Sequence, residues 1–426
     1  MQVCFVALNA LPAIDPTIPG PIGGIETRSW TLARSIAQSP DVELRFAIRH
    51  HGRVRTTHYS GVTIVPMIDR LLSLRHAVAT RVDVVPTFPF LKLKQWSWNL
   101  LWQMPLLAIC RPFKPRPPAT PQPLPALRNL PTDLFCTFGV QSTSAQVVAT
   151  GRAIGKPVVL MLGSDGDLHP LFQQETDERD QYGTSGRIGR YTLLNADLIV
   201  VQSATQQKRL RDEFSRDSLL IENPIDVPRW QAGLQQPVDP HMTRGLDRYV
   251  LWVGRSDTGP KRPEECLEIA RRCPNVHFLM VLNPYDPIVE RHIHQTAPPN
   301  VRIIERVPFE EMPKLFKQAA IFLNTSSFEG FPNTFLQSAI TGIPVGSLVV
   351  MGDYLREIDL GFCADGDLDA LAQFVQQSWD TPREAERVDA VRQRVIERHA
   401  LARQSQKLIE AFRTLLDTYG SRDGET

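Results

Sequence analysis

The sequence predicts an α/β protein made of two Rossmann-like domains, each a doubly wound, mostly parallel sheet. Three observations predict it. Short apolar, β-branched runs alternate with helical periodicity along most of the chain. The alternation runs twice, broken by a polar, aperiodic stretch at about 230–248. The 426 residues are too many for one ordinary core and suit two.

The elements follow in order. Residues 3–8 are short and apolar and read as a buried parallel strand. A loop rich in proline and glycine leads to Gly23-Gly24-Ile25-Glu26. A helix comes next, with Trp30, Leu32, Ala33, Ile36 and Ala37 on one face. Further strands are expected at 43–48, 63–66, 133–138, 158–162 and 198–201. The second alternation begins with a strand at 249–253 and a helix from about residue 263. Strands near 277–281, 301–304, 321–324 and 344–347 complete it. Residues 382–419 are charged and helical in pattern, with Pro382 suited to a first turn. The expected division is 1–235 for the first domain, with an insertion at about 70–130, and 248–400 for the second. Residues 401–426 form a last helix placed to pack back on the first domain.

Composition narrows the function. A formal net charge of +1 gives no global basic field, so nucleic acid is not an expected partner. Cys4, Cys110, Cys136, Cys266, Cys273 and Cys363 are scattered, with no C-x-x-C pair and no zinc spacing. They read as reduced thiols in a cytoplasmic protein. The N-terminus lacks a basic region before its apolar run and reads as a strand rather than a signal peptide. No apolar run approaches the roughly 20 residues that span a bilayer. The ten histidines form no H-x-x-H or H-x-x-x-H pair; His292 and His294 read as exposed helix positions, and no metal is expected.

The rhythm breaks between residues 70 and 130. Trp96, Trp98 and Trp102 lie here among nine basic residues: Arg70, Arg75, Arg81, Lys92, Lys94, Arg111, Lys114, Arg116 and Arg128. The only acid is Asp83. Two readings stand side by side: peripheral binding to an anionic membrane, or a packed helical insertion with ordinary charged faces. Residues 112–131 are proline-dense and read as an extended loop.

The chemistry concentrates in the second half. Val253-Gly254-Arg255 ends an expected strand, and the following loop runs to Pro260-Lys261-Arg262-Pro263. Arg255 and Lys261 thus fall at a strand's carboxyl end before a helix start, where open α/β sheets bind anions. A diphosphate leaving group needs such cations, because negative charge grows on it as the bond breaks. The plain alternative is two cations on a solvated loop. The second signal runs from Ser326 through Glu329-Gly330-Phe331-Pro332-Asn333-Thr334 to Gln337, then to Pro344-Val345. It reads as a turn entering a helix whose first amides can hold a phosphate or sugar oxygen. Glu329 can accept from sugar hydroxyls, or else cap the helix or meet a neighbouring arginine. Gln337, a turn or more into the helix, can reach a ribose.

These motifs resemble the GT-B glycosyltransferases, in particular the retaining family 4 (glycosyl transferases group 1) with nucleotide-sugar donors. The resemblance covers nearly the whole chain. It includes Gly23-Gly24-Ile25-Glu26, the segment 195–203 and Glu222-Asn223-Pro224-Ile225-Asp226. It implies two Rossmann-like domains facing across a cleft, the first on the acceptor side and the second holding a nucleotide-diphosphate sugar. By this analogy Arg255 and Lys261 hold the diphosphate and Glu329 the donor-sugar hydroxyls. The amides of Gly330, Phe331, Pro332, Asn333 and Thr334 would contact sugar and phosphate. Gln337 would face the ribose, and Arg306 and Val307 would line the base. Gly23 and Gly24 would lie near the donor phosphates, Gly24 allowing close approach.

Two positions depart from the pattern. The family usually has a second Glu where this chain has Gln337. Many members carry a His after the strand at 158–162, where this chain has Gly163-Ser164-Asp165-Gly166-Asp167. Asp165 is a candidate for a polar role on the acceptor side, against a plain turn or cap Asp. Asp165-Gly166-Asp167 also imitates a D-x-D metal motif, which belongs to a different glycosyltransferase architecture.

The resemblance implies transfer to a saccharide or lipid-linked acceptor with retention of configuration, without a required cofactor. Such an enzyme would sit in the cytoplasm or on the inner face of the membrane. A GT-B-fold nucleotide-sugar epimerase and a non-catalytic nucleotide-sugar-binding relative are the alternatives. A nicotinamide dehydrogenase is disfavoured, since no G-x-G-x-x-G follows the first strand.

Overall fold

A computed structural model describes residues 1–15, 17–18, 23–50, 57–68, 71–84, 91–110, 120–381 and 384–423. Arg70, Arg111, Lys114, Arg116, Pro382 and part of the proline-dense stretch lie outside these residues. The chain forms two compact units. One comprises Met1–Leu74, Leu106–Pro224 and Leu401–Thr426, the other Arg75–Pro105 and Ile225–Ala400.

The first unit is built on eight strands: β1 (Gln2–Val6), β2 (Glu43–His50), β3 (His58–Tyr59), β4 (Val62–Ile68), β5 (Leu134–Phe138), β6 (Val158–Met161), β7 (Leu198–Val201) and β8 (Leu219–Leu220). Their order is β8-β7-β6-β5-β1-β2-β4-β3, and only β3 runs antiparallel to its neighbour. The central strands are buried along their whole length, which is why they read as unbroken apolar runs rather than alternating ones. Helix Gly24–Ile36 turns Trp30, Leu32, Ala33 and Ile36 inward at helical spacing. They share an apolar cluster with Phe5, Phe46 and Leu408 and Phe412 of helix Leu401–Asp423. The Phe5 and Phe412 rings meet edge-on at 6.3 Å.

The second unit carries six parallel strands: β9 (Tyr249–Arg255), β10 (Phe278–Asn283), β11 (Val301–Glu305), β12 (Ala319–Asn324), β13 (Val345–Ser347) and β14 (Gly361–Cys363). Their order is β11-β10-β9-β12-β13-β14. Strand β14 escaped the sequence because three residues show no periodicity. Its Gly361 lies so close to β13 that a Cβ would fall 1.8 Å from the Val345 carbonyl oxygen.

The division of the chain differs from the expected one in two places. Residues 75–105, expected as part of an insertion in the first domain, group with the second unit. The first main crossing lies at Pro224–Ile225, ahead of the expected linker. Trp230 accounts for this: its buried ring packs edge-on to Phe316 at 5.3 Å, so the helix Val227–Leu234 belongs to the second core. The expected helical stretch 382–419 is two helices, Ala385–His399 and Leu401–Asp423. The break is held where the Ile225 amide donates to the His399 carbonyl at 2.9 Å.

Cys4, Cys136, Cys266, Cys273 and Cys363 are buried free thiols, and burial pushes Cys4 up to about 12.

Candidate functional site

The carboxyl end of the second sheet gathers the residues singled out in the sequence. Arg255 ends β9, and β12 beside it leads into the segment with Glu329. The Lys261 ammonium contacts Glu329 Oε1, and the Ser326 hydroxyl donates to the same oxygen at 2.8 Å. Neither bond commits Oε2. Arg255 donates from one terminal nitrogen to Asp257 Oδ2 at 3.0 Å, and its guanidinium lies 4.6 Å from the centre of the Tyr285 ring. The Arg255, Lys261 and Glu329 side chains are 39%, 26% and 18% exposed, so all three stay within reach of a ligand.

Local packing explains why the loops hold there. The buried Trp252 indole donates to Thr325 Oγ1 at 2.9 Å, and that hydroxyl faces the carbonyls of Lys261 and Arg262 at 2.9 and 3.0 Å. The loop carrying Lys261 is thereby tied to the end of β12. A Cβ at Gly254 would fall 2.4 Å from the Trp252 ring, so the glycine of Val-Gly-Arg makes room for that indole. Helix Asn333–Thr341 begins after Pro332 with no side-chain cap. Its first turn therefore offers main-chain donors that no capping side chain has claimed.

The other expected residues have varied surroundings. The Phe331 ring faces inward, edge-on to Tyr354 at 4.8 Å and 5.2 Å from His399, so only its main chain could serve a ligand. Gln337 is buried, and its Oε1 has no hydrogen-bond partner. Arg306 is exposed just past β11, and Val307 packs against the core. Glu329 neither caps the helix nor meets an arginine; its partners are Lys261 and Ser326. Asp257, Tyr285 and Thr325 were not singled out in the sequence. An Arg-x-Asp spacing could have flagged Asp257, whereas Tyr285 arrives from a different loop.

In the first unit the matching loops are pinned by buried charge. Arg28, 4% exposed, donates to the carbonyls of Leu162 at 2.8 Å and Ile221 at 3.0 Å. Burial pulls it down to about 10, against the pull of Cys136 and Asp167. Asp167 accepts from the amides of Val140 (2.7 Å), Gly163 (2.5 Å) and Ser164 (3.1 Å). Burial still raises its carboxyl above the usual range, against those amides. Asp165 stands in a 3-10 turn capped by Ser164, and its Oδ1 accepts from Gln206 at 2.9 Å. Both carboxylates of the Asp-Gly-Asp string thus bind protein groups. The Glu26 carboxylate accepts from the Gly23 amide at 3.0 Å. A Cβ on Gly24 would meet no protein atom within 4 Å, whereas one on Gly163 would strike Ile25 at 2.6 Å. The glycine required by packing around this motif is therefore Gly163, seated under Ile25.

His292 lies 3.9 Å from Glu264. His294 sits with Glu290 and Glu305 in a set whose ligating atoms lie within 4.8 Å of one another, beside a cavity of about 660 Å³ that also involves Lys94 and Trp96. The pairing of a helix Glu and His four apart with a Glu at a strand end was not visible to a search for histidine pairs.

The fold is GT-B, the architecture of glycosyltransferases with two Rossmann-like units. Residues 247–380, within the second unit, match the family model described as Glycosyl transferases group 1. Among solved structures, the chain is similar to sucrose-phosphate synthase from Thermosynechococcus elongatus, at 16% identity and TM-score 0.66, over 98% of this chain and 99% of that one. It is also similar to HepE of Anabaena in complex with UDP and glucose, at 14% identity and TM-score 0.63, over 97% and 100% of the two chains. A third, AviGT4, a glycosyltransferase involved in avilamycin A biosynthesis, has 16% identity and TM-score 0.56 over 98% of each chain. No curated protein matches the chain by sequence. Among the described residues no helix is long and apolar enough to cross a membrane.

Proposed function

We propose that the chain is a retaining hexosyltransferase that moves a sugar from a nucleotide-diphosphate donor to a saccharide or lipid-linked saccharide acceptor. The carrying observation is the meeting of Arg255, Lys261, Glu329 and the start of helix Asn333–Thr341 at the carboxyl ends of β9 and β12. Arg255 and Lys261 neutralise the diphosphate as charge grows on it. Each must loosen its carboxylate partner to do so, and both are exposed enough for that exchange. When Lys261 turns to phosphate, Glu329 is freed toward the donor-sugar hydroxyls. Main-chain groups of 330–334 line the sugar and phosphate, Arg306 and Val307 the base, and Gln337 the ribose edge, with Gly23 and Gly24 on the phosphate side. Asp165 stands as the polar candidate near the acceptor.

In the transfer the bond from C1 to the diphosphate oxygen breaks and a bond from C1 to the acceptor oxygen forms on the same face. The acceptor proton passes to the leaving diphosphate. Catalysis then rests on positioning and charge stabilisation. The bound UDP and glucose of the HepE structure favour a UDP-sugar as the first donor to try.

The test is a panel of UDP-, GDP- and ADP-sugars, read by thermal shift and by release of nucleoside diphosphate with a set of saccharide acceptors. One donor is expected to raise the midpoint and to give an α-linked product from an α-linked donor. Inverted product or C2 epimerisation would replace this reading, and no response to any donor would end it.

A further inference from the structure

The helix Leu100–Cys110, sequence LLWQMPLLAIC, contains no charged residue. Leu100 and Gln103 are buried, and Met104 and Leu107 partly so, which marks its inner side at i, i+3, i+4 and i+7. The outer side carries Leu101 (59% exposed), Trp102 (55%), Leu106 (40%) and Ile109 (66%). A helix at a water-facing surface normally turns polar residues outward; this one turns apolar residues outward. Just before it stand Trp96 and Trp98, 54% and 76% exposed, their rings packed edge-on at 5.8 Å. Among the described residues, eight of the 15 exposed large hydrophobic side chains fall within 91–109, so the exposure is concentrated in one segment rather than scattered.

Charge selects the occupant. Lys92 and Lys94 lie at the start of this segment, ahead of its tryptophans, and Arg111, Lys114 and Arg116, outside the described residues, follow it in sequence. Within residues 70–130 the one acid, Asp83, is paired with Lys94 at 2.9 Å, while Glu290 and Glu305 line the cavity beside Lys94 and Trp96. Cations bracketing exposed tryptophans suit the headgroup zone of an anionic bilayer, where an indole lies half in hydrocarbon. Eleven helical residues extend about 16 Å, roughly half a hydrocarbon core, so the helix lies in the interface and does not cross it.

We infer that residues 91–109 form a membrane-docking surface that inserts Trp96, Trp98, Trp102 and the outer side of helix Leu100–Cys110 into the interface of an anionic lipid bilayer. This deepens the lipid-linked-acceptor side of the proposed function and rests on it for its purpose. Vesicle binding is measured without donor or acceptor, so it can fail or succeed independently of transfer.

The test is co-sedimentation of the full chain with vesicles of phosphatidylcholine alone or with 30 mol% phosphatidylglycerol, about the anionic share of a charged bilayer, alongside tryptophan emission. Binding and a blue shift are expected with the anionic vesicles only, weakening in high salt. Trp98→Ser with Trp102→Ser should weaken binding by roughly tenfold or more. Lys92→Glu should weaken it less, and both variants should keep the parent thermal midpoint. Should the double variant fail to fold, Trp98→Ser alone, at the most exposed site, carries the same test. Equal binding to neutral vesicles, no binding, or full binding by the tryptophan variants would overturn the inference. So would a dimer in sedimentation velocity that the tryptophan substitutions dissolve, since a second copy would then be the occupant.

Discussion

The carboxyl ends of the two sheets use charge in opposite ways. In the first unit, Arg28 and Asp167 are buried and their hydrogen bonds go to main-chain groups. They set the shape of loops. In the second unit, Lys261–Glu329 and Arg255–Asp257 pair side chain with side chain, and three of those four side chains remain partly open to solvent. A buried charge bonded to backbone has no freedom to serve a ligand without wrecking its surroundings. A half-exposed pair can exchange partners at modest cost. Similar sheets thus carry backbone-bonded buried charges in one unit and half-exposed side-chain pairs in the other.

The sharpest way to break this contrast is substitution in the second unit. Arg255→Ala and Lys261→Ala should each lower kcat/KM by roughly 10²–10³-fold. Their thermal midpoints should stay close to the parent, because such pairs contribute about 1 kcal/mol or less. Steady-state kinetics beside thermal unfolding reads both. A large loss of stability would make these residues scaffold like Arg28.

Arg28→Leu should show the reverse, losing about 3 kcal/mol in denaturant unfolding, because the Ile221 carbonyl loses its donor and the Leu162 carbonyl keeps only the Gln202 amide. Unchanged stability would remove the distinction between the two sheets.

The smallest effect concerns pH. Asp167 holds its proton more tightly folded than unfolded. Its titration therefore contributes stability that is fully present below pH 3.8 and is lost as the pH rises through the raised folded value. Asp167→Asn removes that titration. The stability of parent relative to variant should accordingly increase on acidification toward pH 4, a trend that unfolding curves at several pH values would read. A flat difference would mean that the three amides, rather than burial, govern this carboxyl.

Much of this was legible in the sequence, for physical reasons. Central parallel strands are buried on both faces, so segments such as 134–138 and 249–253 appear as plain apolar runs. Arg255, Lys261 and Glu329 could be placed near one another because Arg255 ends one strand and the other two lie in turns whose positions are fixed by the strands before them. What stayed hidden depends on which distant segments meet. Arg28 looks like an ordinary polar position on an amphipathic helix until the Leu162 and Ile221 loops close over it. Tyr285 reaches Arg255 from the next strand's loop. Residues 75–105 join the second unit although their neighbours on both sides belong to the first, and no local pattern reports such a choice.

The return of the chain to its first unit at Leu401 also orders its birth. Synthesis runs from the amino end, yet the inner side of helix Gly24–Ile36 and the ring of Phe5 wait for Leu408 and Phe412. Residues 225–400 can complete their own core first. The nascent first unit therefore leaves the ribosome with apolar surface uncovered, and it closes only when helix Leu401–Asp423 emerges. The unit that holds Phe5 is thus completed after residues 225–400 have been made.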